Sequence, residues 1–352
     1  MSDYDKTIAE ANSAIALDPN DAKAYTKRGK AYFFLDQYDA AISDLSRAIA
    51  LNPNNDSAYF YRGQIYLQLG QKDAAISDLN RAIELNPNDD NAYLYRGQTY
   101  FELRQYDTAI SDLSRAIELN PNNSNAYCAR GNIYGGLKQI DAAISDLSHT
   151  IELNPNNSSA YLVRGNIYGA LKQENAAISD LSRAIELNPN NDLIFDIRGK
   201  AYYRLEQYDS AISDFSKAIA LNPNNDSYYF LRGLAYRKKN QYDSAIIDFN
   251  RAIALKSNDI VYYGERGFSY FRLEQYEAAI SDFSKVIENG SNDANDYYFR
   301  GDSYRRTSQW APARADLEKA LQLDPEHKGA KASLEVVMSL PEALKMLREM
   351  GL

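Results

Sequence analysis

A chain of 352 residues with 45% hydrophobic and 25% charged side chains can bury a substantial core, and 29 Tyr beside one Trp, one Cys and ten Pro is the lopsided inventory that repetition produces. With 39 Lys plus Arg against 48 Asp plus Glu the net charge is −9, which argues against a protein built to grip a nucleic-acid backbone, while the aromatic content argues against a disordered acidic tail. One cysteine, Cys128, and two histidines exclude a disulfide scaffold and a zinc module, so neither metal nor cofactor is expected.

In chain order, the N-terminus lacks a basic region followed by an apolar stretch, and no 18-residue apolar run occurs anywhere. The expectation is a cytoplasmic chain without a membrane span. Tyr4 to Leu17, followed by Pro19, reads as a lone second helix of an incomplete unit, which makes 1–21 an N-terminal cap. The motif Arg-Gly-x-x-Tyr then recurs at Arg28, Arg62, Arg96, Arg130, Arg164, Arg198, Arg232, Arg266 and Arg300, every step being 34 residues. A fixed period of this length signals stacked supersecondary units. Nine units follow without insertion: 22–55, 56–89, 90–123, 124–157, 158–191, 192–225, 226–259, 260–293 and 294–327. Beyond them, 328–352 reads as a capping helix to about Leu340 and then a short amphipathic helix after Pro341, with Leu340, Leu344 and Leu347 on one face.

Each unit reads as two helices. In 56–89, Tyr59, Arg62, Gly63 and Tyr66 at repeat positions 4, 7, 8 and 11 share one helical face, and Ala75, Leu79, Ala82 and Ile83 form the matching face of the second helix. Asn-Pro stops the second helix, because proline has no N–H to donate and disfavours helix in the residue before it. Small residues at position 8 (Gly) and position 20 (Ala) let two backbones approach.

An aromatic residue at 4, Gly at 8, Tyr at 11, Ala at 20, a large apolar residue at 24, Ala at 27 and Pro at 32 together resemble the tetratricopeptide repeat family. Thr150 and Val286 depart from Ala at 27, and Ser257 and Ser291 from Pro at 32. The resemblance implies an all-α, right-handed superhelical solenoid of antiparallel helix pairs whose first helices line a concave groove.

Arg at position 7 and Asp at position 23, such as Arg62 with Asp78 and Arg232 with Asp248, read as structural partners at the edge of the helix interface, worth at most about 1 kcal/mol each. His149 and His327 have no nucleophile and carboxylate arranged beside them, so the chain is read as no enzyme. Cys128 reads as a small apolar filler.

Function is sought where the repeat varies. Positions 2, 5, 6, 9, 12 and 13 lie opposite the inward face of the first helix. In the N-terminal and middle units they carry Lys23, Lys27, Lys30, Phe33, Phe60, Tyr61, Tyr95, Asn132 and Asn166. The later units bring Tyr203, Arg204, Arg237, Lys238, Phe268, Phe271, Arg272, Tyr298, Phe299, Arg305 and Arg306, where cations interleave with aromatics. The family's clamp for chaperone tails needs Lys at position 5, which is never Lys here. The leading expectation is a non-enzymatic interaction scaffold that holds a peptide or helical segment of a partner protein in the groove, with an acidic or phosphorylated segment at the C-terminal half. The alternatives are a single-stranded RNA binder, disfavoured by the net charge, and a self-assembling solenoid that forms a homo-oligomer through the C-terminal tail.

Overall fold

Stop and start signals within each 34-residue period divide the chain into short helices. Asn55 at position 34 accepts the Ala58 N–H at 3.1 Å and opens α4 (Asp56–Gln68). That helix closes through two backbone bonds, Gly70 N–H to the Leu67 carbonyl at 3.0 Å and Gln71 N–H to the Tyr66 carbonyl at 2.8 Å, around Gly70 at φ 72°. The turn feeds directly into α5 (Lys72–Leu85). The same position 15 is left-handed in the other units although none of them has glycine there: φ is 56° at Asp36, 59° at Glu206 and 60° at Glu274.

A computed structural model describes residues 2–349, and the side chains of residues 2–339. The chain falls into two compact units, Met1–Ile167 and Tyr168–Leu352. Besides α4 and α5, the first holds α1 (Asp3–Leu17), α2 (Ala22–Phe34), α3 (Tyr38–Leu51), α6 (Asp90–Glu102), α7 (Tyr106–Leu119), α8 (Ser124–Gly136), α9 (Ile140–Leu153) and most of α10 (Ser158–Ala170). The second holds α11 (Glu174–Leu187), α12 (Asp192–Arg204), α13 (Tyr208–Leu221), α14 (Asp226–Lys238), α15 (Tyr242–Leu255), α16 (Ile260–Arg272), α17 (Tyr276–Glu288), α18 (Ala294–Arg306), α19 (Trp310–Leu323) and α20 (Lys328–Glu349). The fold is all-α, and consecutive helices pack as antiparallel pairs.

The pairs close on the small residues. A Cβ on Gly63 would lie 3.0 Å from Leu79 Cγ, and one on Gly233 2.7 Å from the Phe249 ring, so any larger residue at position 8 would force the pair apart. Ala75 and Ala245 at position 20 are fully buried, as are Leu79 and Phe249.

Arg at position 7 links each pair to the one before. Arg62 donates to both Asp78 oxygens at 2.7 and 2.8 Å and, through Nη1, to Ser46 on α3 of the preceding pair at 2.9 Å. The three bonds recur at Arg28, Arg96, Arg130, Arg198, Arg232, Arg266 and Arg300, with Ser or Asn at position 25 as the third acceptor. Arg28 uses Asn12 of α1 in that role, which makes α1 the second helix of a partial repeat. These pairs correct the expectation of edge contacts worth at most about 1 kcal/mol. Asp78 is 5% exposed and Asp248 2%, so breaking a pair strands a buried charge.

At the C-terminus one helix, α20, runs from Lys328 to Glu349, where two helices separated at Pro341 were expected. Pro341 loses its own bond to the carbonyl one turn back and its ring crowds that carbonyl, but the Glu-Ala-Leu-Lys-Met that follows consists of strong helix formers, and the helix continues. Ala330 and Val337 of α20 complete the core of the last pair with Ala313, Leu317 and Ala320. The apolar face expected from Leu340, Leu344 and Leu347 lies outside the described side chains.

Candidate partner-binding surface

With positions 4, 7, 8 and 11 committed to the second helix, the first helices are left with positions 2, 5, 6, 9, 12 and 13. Among the described residues, successive first helices touch each other (α2, α4, α6 and α8 in the first unit; α12, α14, α16 and α18 in the second), whereas successive second helices do not. The variable positions therefore lie on a continuous inner wall within each unit.

In the first unit this wall is a ladder of rings. Tyr4 stacks on Phe34 at 5.1 Å, Phe33 meets Tyr61 at 5.7 Å, and Phe60 meets Tyr61 at 5.1 Å and Tyr95 at 5.8 Å. The Lys30 ammonium lies 4.9 Å from the Tyr61 ring centroid. Phe33, Phe60, Tyr61, Gln64 and Tyr95 border a cleft of about 480 Å³, and Lys23, Lys27 and Lys30 border another of about 320 Å³. Further along, a cleft of about 350 Å³ is lined by Phe101, Cys128 and Asn132, where the buried Asn132 Oδ1 has no hydrogen-bond partner. Burial pushes the Cys128 thiol up, which suits a packed side chain and not a nucleophile. Asn166 is exposed.

In the second unit, four of the six expected cations face carboxylates of the protein itself. Arg204 grips both oxygens of the buried Glu174, at 2.5 and 3.0 Å. Arg237 Nε stands 2.8 Å from Glu265 Oε2, and the guanidinium lies 5.0 Å over the Phe268 ring. Arg305 pairs with the buried Asp302 at 2.6 Å and Arg306 with the same carboxylate at 3.6 Å, while Ser333 of α20 donates to Asp302 at 2.6 Å. Tyr298 is enlisted by α20 too, since a Cβ on Gly329 would lie 2.7 Å from its ring. Tyr298 and Asp302 thus meet the capping helix, and Arg305 and Arg306 are taken up by Asp302. Lys238 and Arg272 are exposed and have no ion-pair partner among the described residues; Arg272 covers the Tyr242 ring at 4.9 Å. Tyr203 is edge-on to Tyr208 at 5.5 Å.

Around them the expected aromatics do come together. Phe299 meets Phe268 at 5.2 Å, Phe271 at 5.1 Å and Phe283 at 5.6 Å. Phe268, Phe283 and Phe299 border a cleft of about 600 Å³ that also holds Glu265, Asp293 and Asp296. Sequence reasoning missed the carboxylates Glu174, Glu265 and Asp302. Their signal was present, since Glu174 stands at position 17 where Tyr is commonest and Glu265 is itself a groove position, but only the cations were weighed there. Among the described residues no group of His, Cys, Asp or Glu could hold a metal ion, and no helix is long and apolar enough to cross a membrane.

Family models described as tetratricopeptide repeats match residues 26–90 and 198–260, 97–138, 79–111, 124–157 with 158–191 and 260–289, and 294–327. No curated protein matches the chain. Among solved structures it is similar to a tetratricopeptide repeat protein from Parabacteroides merdae ATCC 43184, at 21% identity over 71% of this chain and 98% of that one, with a TM-score of 0.49. It is also similar to YrrB, described as a TPR protein with an unusual peptide-binding site, at 22% identity over 52% and 95% of the two chains and a TM-score of 0.49. A further similarity, at 14% identity over 95% and 93% with a TM-score of 0.45, is to the Cut9-Hcn1 assembly of APC/C. With repeat models matching between residues 26 and 327, and eight helix pairs among the described residues built on the same Gly, Ala and Arg–Asp contacts, the chain belongs to the tetratricopeptide repeat family.

Proposed function

We propose that the chain is a protein–protein interaction scaffold whose first-helix surface binds an extended or helical segment of a partner protein. One observation carries this reading: the non-repeating positions hold aromatic rings that run from one first helix to the next and stay partly open to solvent, Phe34 being 44% and Phe101 43% exposed. Large apolar side chains gain nothing from facing water, and aromatic anchors in shallow clefts are what a bound segment buries most productively. The matched models are repeat models, and none belongs to a catalytic family. The internal ion pairs change the weight given to charge. Arg204, Arg237, Arg305 and Arg306 already face carboxylates, which leaves Lys238 and Arg272 for an acidic or phosphorylated segment. Aromatic contacts therefore dominate recognition, and charge sets orientation.

The test is affinity capture with the full chain from cells that make it. Phe60→Ser with Tyr95→Ser, and Phe271→Ser alone, are expected to lose the captured partner while keeping helical circular dichroism. A second-helix pair, Arg81→Glu with Arg115→Glu, is expected to keep it. The reverse pattern would place binding on the other face.

A further inference from the structure

The glycines inside the helices are of two kinds. At position 8 a Cβ has no room, as at Gly267, where it would lie 3.1 Å from Asp282 Cβ and 3.2 Å from the Phe283 ring. Gly264, at position 5 in the middle of the same helix α16, is different: a Cβ there would meet only Val286 Cγ2, at an ordinary 3.9 Å. The other units place Thr26, Phe60, Leu94, Cys128, Leu162, Asp196, Phe230 and Tyr298 at this position. Helix stability is thus given up at Gly264 without a packing reason. The space a side chain would fill is the cleft of about 600 Å³, with apolar walls from Val261, Phe268, Val286 and Phe299.

Its polar rim is acidic, with Glu265, Asp293 and Asp296 against the guanidinium of Arg237, and the ammonium of Lys238 acts on Glu265 from outside the lining. Asp293 caps α18 through the Asn295 N–H at 2.8 Å, and Asp296 accepts the Ser291 hydroxyl at 2.5 Å. Glu265 is less well served. Arg237 Nε lies 2.8 Å from Oε2, yet the N–H does not point along that line, and both buried atoms lack a hydrogen bond. Burial pushes the Glu265 and Asp296 carboxyls up from their ordinary range, the cost of holding anions here without enough positive charge. We propose that this cleft takes a bulky apolar side chain of a partner segment that carries a Lys or Arg beside it, the apolar group filling the space above Gly264 and the cation meeting Glu265 and Asp296. The proposal rests on the first-helix surface being the one that binds. An acidic segment would be repelled at this rim.

The test uses the full chain and two pools of fluorescein-labelled dodecapeptides, each with Leu, Met or Phe at its centre, flanked by Lys and Arg in one pool and by Asp and Glu in the other. Anisotropy should show the basic pool binding about ten-fold tighter or more, with the difference shrinking as salt rises. Gly264→Phe fills the cleft and should weaken the basic pool by about ten-fold with the melting temperature held or raised, and Glu265→Gln should weaken it by about three-fold. Gly264→Leu is the second variant should the phenyl ring disturb α16. Preference for the acidic pool, or wild-type affinity in both Gly264 variants, overturns the proposal; if Phe60→Ser with Tyr95→Ser then abolishes peptide binding, the first-helix surface stands without this cleft. Failure of both pools to bind the wild-type chain also overturns it, and the capture experiment judges the surface separately.

Discussion

Arg232 holds three oxygens at once, two on Asp248 and one on Ser216. Burial pushes the Asp248 carboxyl up even with Arg232 beside it. Removing the guanidinium leaves a buried, unpaired carboxylate, so Arg232→Ala is expected to cost about 3–5 kcal/mol by urea unfolding at pH 7. Arg232→Lys should recover part of this, because an ammonium cannot span both oxygens. The pH sign is fixed. A carboxyl whose folded pKa is raised further binds its proton more tightly when folded, so the Arg232→Ala deficit should be largest at pH 7 and shrink as pH falls toward 4. A deficit independent of pH would mean that Asp248 is not the stranded group. Cys128, with its thiol pushed up by burial, carries little thiolate at neutral pH and should react with iodoacetamide more slowly than a free cysteine at pH 8. Equal rates would contradict its packed position.

The turn between the helices of a pair was legible in the sequence, but its geometry was not. Position 15 is left-handed throughout the described turns, and Gly70 alone advertises it, because the Schellman bonds hold Asp36, Arg104, Glu206 and Glu274 in the same conformation. A non-glycine residue there costs roughly 1–2 kcal/mol, so Glu206→Gly should stabilise, by about 0.5–1 kcal/mol once glycine's own entropy is counted. An unchanged or lower melting temperature would show that the Schellman bonds already offset the strain. The two joints without proline differ. Lys256 has φ −143° and ψ 86°, close to Asn222 before Pro223 at −138° and 84°, so Ser257→Pro should stabilise by about 0.4–1 kcal/mol. At the other joint α17 stops at Glu288, Gly290 turns at φ 91°, and the Ser291 N–H reaches the Val286 carbonyl at 3.4 Å. Ser291→Pro would lose that donor and should not stabilise. Hydrogen exchange should be fastest across residues 288–293 among the joints of the second unit, and uniform protection would refute this.

At the scale of the molecule, a strict 34-residue period fixed the helix pairs, the Gly and Ala contacts and the family, because each pair repeats the same local physics. The Arg staples add a nearest-neighbour term, since each arginine bonds its own pair and the one before. The functional surface was legible only in part. Its rings stand where variable positions put them, as Phe60, Phe268 and Phe299 do, since helical phase alone places a residue on a face. Its charge was not: Asp302, one turn from Arg305 and Arg306 in their own helix, was overlooked, and for the other two cations neutralisation runs between repeats, Arg204 reaching back to Glu174 in the preceding one and Arg237 forward to Glu265 in the next. A list of cations in one helix cannot reveal a carboxylate that folding brings from another. The most direct test of the central claim, that the first-helix wall binds the partner, is photo-crosslinking in cells with benzoylphenylalanine placed in turn at Phe34, Tyr61 and Phe271 on that wall and at Arg81, Arg115 and Ile247 on second helices. Discrete protein adducts are predicted from the first three positions only. Adducts confined to the second-helix positions, or equal from both sets, would contradict it.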